Sequence, residues 1–179
     1  AEGGAGEIDA PGGSPSEVEA ECTLVQRTSI LTLDGALATG LARVGAEVKV
    51  IAPATGSVSR GIALPIVTSR KITCADYGRV IGHRGGIELD LGTSRIELRR
   101  FRITTADGGT EVFTGPRTSA GVPAFTADLD AAIEPNLDNI ITLRRVPLTV
   151  TAAGARALND ALGTELFGPG MPFGLLDIR

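Results

Sequence analysis

The sequence predicts a mainly β fold: an antiparallel β-sandwich with two short helices and an internal strand–helix repeat. Three observations predict it. The stretch Leu31–Gly56, LTLDGALATGLARVGAEVKVIAPATG, aligns with Leu148–Gly174, LTVTAAGARALNDALGTELFGPGMPFG, with one inserted residue, and each copy reads strand, short helix, turn, strand. Short β-branched and apolar runs, about nine of them, recur between turn residues. Only two stretches carry the apolar spacing of a helix face.

Taken in order, residues 1–21 (AEGGAGEIDAPGGSPSEVEAE) are rich in Gly, Pro, Ser and Glu. Such a composition buries too little apolar surface to fold alone. It is expected as an extended acidic segment ahead of a single domain over 22–179. Thr23–Leu33 reads as a strand. Asp34 is placed to cap a helix whose face is Leu37, Leu41 and Val44, with Gly45 as its stop. The later copy offers Thr151 as cap, Leu158 and Leu162 as the face, and Gly163 as the stop. Val48–Ile51 and Ile62–Val67 are expected strands, and Gly85–Gly92 alternates as a half-buried strand should.

A second echo links Ile96–Ile103 (IELRRFRI) to Ile141–Leu148 (ITLRRVPL). In each, the apolar phase slips by one residue at Arg-Arg, which predicts a β-bulge. Thr105–Thr110 (TADGGT) reads as a hairpin turn. Pro123–Asp130 reads as a strand, and the proline-bearing AAIEPNLDN after it as a loop.

Composition narrows the chemistry. With 179 residues and 42% hydrophobic content, the chain can build one core. There is no Trp, one Tyr and five Phe, so that core is mostly aliphatic. The net charge of −4 is uneven. Residues 1–21 hold six acids and no base; the rest holds fifteen acids against seventeen bases. Nucleic-acid binding is not expected, because phosphate contacts need concentrated positive charge. No apolar run is long enough to span a bilayer.

Cys22 and Cys74 are the only cysteines. The sequence starts at Ala1 without an apolar leader, as an exported chain does after signal-peptide removal. In that setting one pair reads as a disulfide, worth about 4 kcal/mol through loop closure, with two buried thiols as the alternative.

Catalytic patterns are lacking. His83, in GHRGG, reads as a surface-turn histidine, the alternative being a ligand or general base on that turn. Asp76 and Tyr77 have no nucleophile spaced to complete a triad. Glu88 and Asp90, at i and i+2 on a strand, read as a solvated sheet face; acid–base work or calcium is the alternative. No cofactor or metal site is expected, and no enzymatic activity.

The arginines stand out. Arg95, Arg99, Arg100 and Arg102 fall on one expected strand, and Arg144 and Arg145 on its echo. Were those strands neighbours, the side chains would form one basic stripe suited to carboxylates. The alternative is ordinary charge guarding exposed strands.

The order of segments resembles the haem-transport-associated (HtaA) domain family of bacterial surface and secreted proteins. The resembling parts are the early strand–helix, IALPIV, GRVIGHRGGIEL, SRIELRRFRI and VPLTVTAAGARALNDALG, which together span most of residues 30–179. The resemblance implies a β-sandwich with two short helices on an exported protein. Haem-binding members carry an aromatic-rich first helix region with a Tyr ligand supported by a His. The matching segment, LDGALATGLARVG, has no Tyr, His or Trp.

The function expected from these features is a secreted, non-enzymatic interaction module. It would serve as adaptor or structural subunit of an extracellular assembly, such as a toxin particle, a filament or a cell-surface complex. The acidic segment would contact other secreted proteins or copies of the chain itself, through Glu7, Ile8, Asp9, Glu17 and Val18, with the six arginines as the basic counterpart. A haem- or small-ligand-binding protein of the cell envelope is the alternative.

Overall fold

The computed structural model describes residues 21–23, 28–67, 71–73, 80–106, 109–113, 123–129, 133–135 and 141–178. The fold is mainly β, with antiparallel sheets and two helices, as the sequence predicts. In chain order the elements are β1 (Glu21–Thr23), β2 (Thr28–Leu33), α1 (Gly35–Arg43), β3 (Glu47–Ile51), β4 (Thr55–Ser57), β5 (Gly61–Pro65) and β6 (Lys71–Thr73). Then come β7 (Val80–Gly82), β8 (Gly86–Asp90), β9 (Arg95–Arg99), β10 (Arg102–Ala106), β11 (Gly109–Phe113), β12 (Phe125–Ala127), β13 (Ile133–Pro135), β14 (Ile141–Val150), α2 (Ala152–Leu162) and β15 (Pro172–Ile178).

The largest sheet runs β4-β5-β2-β15-β14-β12-β11-β10-β7, with β13 pairing β14. Its two ends meet. Ile66, just after β5, bridges His83, just after β7. The Val67 amide donates to the Gly82 carbonyl and the Arg84 amide to the Pro65 carbonyl, each at 2.9 Å. β4 and this bridge therefore lie one after the other along the same edge of β5. The result is a ring of eight antiparallel strands, joined at one point, among the described residues, by a single bridge.

Alternation along each strand fills the ring. The register Ile81–Ile103–Val112–Phe125–Val150 sets five buried side chains at one level. Leu31, Leu176 and Val146 form another. A barrel of eight strands is just wide enough for such side chains to close it. Phe125 lies at the centre, 4.2 Å from the Phe173 ring and 6.3 Å from Phe101.

The smaller sheet, β3-β8-β9, buries Ile87, Leu89 and Leu98. These join Leu37 and Leu41 of α1 and Ala155, Leu158 and Leu162 of α2 in one cluster with the barrel lining. Both helices begin where expected. Asp34 accepts from the Ala36 and Leu37 amides at 2.9 and 3.1 Å. Thr151 accepts from the Gly154 amide at 2.8 Å while its hydroxyl donates to the Pro123 carbonyl at 2.6 Å. Each bond satisfies an amide that the first helical turn leaves open. Gly163 ends α2 at φ 62, where a Cβ would be strained.

Both Arg-Arg phase slips are real. Arg100 and Arg145 share φ 54, the left-handed region, and the β14–β15 register shifts between Leu143 and Val146. The first slip does more than bulge: it divides the expected strand 96–103 between two sheets, β9 in the small one and β10 in the barrel. One loop assignment is corrected. Within AAIEPNLDN, Ile133–Pro135 forms β13, which pairs with β14 and with no other described strand. A strand with one neighbour tolerates proline, which has no amide to donate.

Candidate functional site

The first feature of interest is the joint that closes the barrel. Its register puts Ser29, Leu64, Ile66 and His83 on the inner side, since Ser29 pairs with Leu64 and Ile66 with His83. His83 is 2% exposed and Ser29 0%. The expectation of an exposed turn histidine is thus corrected. His83 keeps the phase of Ile81 two residues earlier, and that phase points inward.

The imidazole is held at both nitrogens. Nδ1 lies 2.9 Å from the Phe101 carbonyl oxygen and Nε2 2.7 Å from Ser29 Oγ. A carbonyl can only accept, so Nδ1 carries the proton and Nε2 takes the Ser29 hydroxyl's proton as a hydrogen bond. Burial pushes the His83 pKa down to about 4, opposed by the Phe101 carbonyl. The neutral ring is therefore the resident form. The hydroxyl–imidazole–acceptor order is that of a nucleophilic relay, but Ser29 Oγ is sealed from any substrate carbonyl in this conformation.

The second feature is the two-stranded ribbon β1–β6. Glu21, Cys22 and Thr23 pair with Thr73, Ile72 and Lys71. Neither strand pairs with any other described strand. β6 sits in the connection between the two strands that meet at the barrel joint, and β1 follows directly on the acidic segment. Cys22 lies on β1. Cys74 lies outside the described residues, as do Glu7, Ile8, Asp9, Glu17 and Val18.

The outer face of β3-β8-β9 carries alternating charge. Lys49 bonds Asp90 and lies 3.9 Å from Glu88 and 3.5 Å from Glu47. Arg99 grips Glu97 through two nitrogens, at 2.6 and 3.0 Å. The Lys49 ammonium and the Gly92 amide hold Asp90 below the usual carboxylate range, and Arg99 does the same for Glu97. Arg95 stands opposite Asp90. Glu88 and Asp90 thus belong to a solvated face of paired charges, and no three His, Cys, Asp or Glu among the described residues converge on a metal position.

The arginines do not form a single stripe. Arg95 and Arg99 are on β9; Arg102 is on β10, in the other sheet; Arg100 lies between them. Arg144 and Arg145 are on β14, three strands from β10, about 14 Å sideways at normal strand spacing. The register adds an axial offset. Ile103 is level with Val150, so Arg145 lies roughly 17 Å further along. The echo in sequence places equivalent bulges at separate sites.

Sequence reasoning missed Ser29. The signal was present: in TSILTL, Ser29 shares the inward phase of Leu31 and Leu33. A hydroxyl on a core phase asks for a buried partner. Comparison with protein-family models, curated proteins and solved structures found no match.

Proposed function

We propose that this chain is a secreted, non-enzymatic interaction module, an adaptor or structural subunit of an extracellular assembly, engaging another secreted protein or a further copy of itself through its N-terminal segment. The observation that supports this most directly is the β1–β6 ribbon. A lone pair of three-residue strands is marginal in water. This one continues straight from an acidic segment and leaves both flanks without a described strand partner. An incoming extended chain gains a ladder of backbone hydrogen bonds on such a flank.

The barrel itself offers little to a partner. Among the described residues, its ring strands are paired on both sides and Val44 and Val67 are the only exposed large hydrophobic side chains. A Cys22–Cys74 disulfide belongs to this reading. Thiol alkylation with non-reducing mass measurement tests it, and two free thiols in protein from culture medium refute it.

The decisive experiment removes residues 1–20, which spares β1. The thermal midpoint should stay within about 2 °C. Self-association by native mass spectrometry, or co-purification of the secreted partner, should be lost. Unfolding of the shortened chain, or unchanged association, refutes the proposal.

A further inference from the structure

Among the described residues the barrel is closed by one bridge, and the bridging residue is the chain's only histidine. Elsewhere the ring is sewn by longer ladders: five register pairs join β2 to β15, and five join β10 to β11. At the joint between β5 and β7 the backbone contributes the Val67–Gly82 and Arg84–Pro65 bonds. His83 then fastens it from within, to Ser29 across β5 and to Phe101 ahead of β10.

We propose that this joint is a proton-operated latch: protonation of His83 parts β5 from β7 and opens the barrel there, while the rest of the ring stays paired. The chemistry follows from the donor–acceptor order. A second ring proton on Nε2 would point at Ser29 Oγ, whose own proton must then turn to another acceptor. The new charge would sit in an apolar interior beside Leu64 and Ile81.

Among the described residues no carboxylate acts on the His83 ring. From β2 comes the Ser29 hydroxyl; β5 with Ile66, and β7, carry no charged residue. The nearest charged residues along the chain and ladder are Arg84, Arg100 and Arg102, all cationic. Reaching water relieves the imidazolium, and parting the bridge that His83 itself makes exposes the ring. Between the buried value of about 4 and the ordinary 6.5, the closed form binds fewer protons than the open form, so its stability is complete above pH 6.5 and falls as pH drops toward 4.

The latch stands independently of the partner-binding reading, and its test uses neither the ribbon nor a partner. Hydrogen exchange is followed on the full chain between pH 6.5 and 4.5, corrected for intrinsic rates. Exchange in 61–67 and 80–84 should rise about 40-fold through the linkage, with β14 and β15 unchanged. The single imidazole gives one set of NMR signals, which should report no titration above pH 5.5. His83→Gln should abolish the pH-dependent rise. Should that variant fail to fold, the imidazole titration together with exchange in the wild-type chain still decides. An imidazole titrating near its ordinary value, a joint whose exchange ignores pH, or exchange rising equally in β14 and β15 each overturns the latch.

Discussion

The two strand–helix units start alike and end differently. β2–α1 and β14–α2 each run from an inward-alternating strand through a side-chain cap into a helix that buries a leucine at matching positions, Leu41 and Leu158. After α1 the chain turns at Val44–Gly45 and enters β3, which leaves the barrel for the small sheet. After α2 it stays irregular through Met171 and returns to the barrel as β15, between β14 and β2. The divergence begins at a single pair of aligned positions. Asn159, where α1 has Ala42, donates to the Phe167 carbonyl at 2.8 Å and accepts its amide at 3.0 Å. This clamp buries Phe167 and lays Leu166 against Gly40 of α1, where a Cβ would come within 2.9 Å of Leu166 Cδ1. The same local signals yield different architecture once one side chain offers the backbone an alternative to a strand.

The largest effect on this comparison is expected at Phe173, where the first unit has Thr55 and no ring. Phe173→Ala should cost about 3–5 kcal/mol in urea unfolding, through loss of its contact with Phe125. Leu41→Ala and Leu158→Ala sharpen it: each should cost about 2–5 kcal/mol, and similar values would show that the helices are equivalent in energy as well as position. Asn159→Ala should cost about 1–3 kcal/mol by leaving the Phe167 amide and carbonyl unpaired, whereas Ala42→Asn should change little because Ala42 is exposed. The smallest effect belongs to the bulges. Gly at Arg145 should leave stability unchanged or raise it by up to about 1 kcal/mol, since φ 54 disfavours a side chain. A loss there would mean the Arg145 side chain contributes to the fold.

Much of the architecture was legible. Caps, the buried helix leucines, the Gly stops and the phase slips all depend on neighbours within a few residues and are found in the structure, whereas Val44, read as part of the first helix face, is that helix's exposed C-cap. Which strands would be partners was not legible. β9 and β10 look continuous in sequence because a bulge accounts for the slip at Arg99–Arg100 without ending the strand, yet Arg100 turns the chain from one sheet to another. The arginine stripe failed for the same reason: it required β14 beside β10, and pairing between distant strands leaves no local trace. The glycines flanking His83 suggest an exposed turn, whereas His83 shares the inward phase of Ile81. A turn composition says where a chain bends and not which side of it meets the core.

The position of β15 has a consequence in time. Residues 172–178 lie between β2 and β14, and Ser29 pairs with Ile178 across nearly the whole described chain. A ribosome has to deliver this strand before the ring can form, so every shorter nascent chain holds β2 and β14 apart with hungry edges on both. The ring is therefore slow to close by construction: β2 and β14 stay unjoined until the distant residues 172–178 slide between them as a wedge.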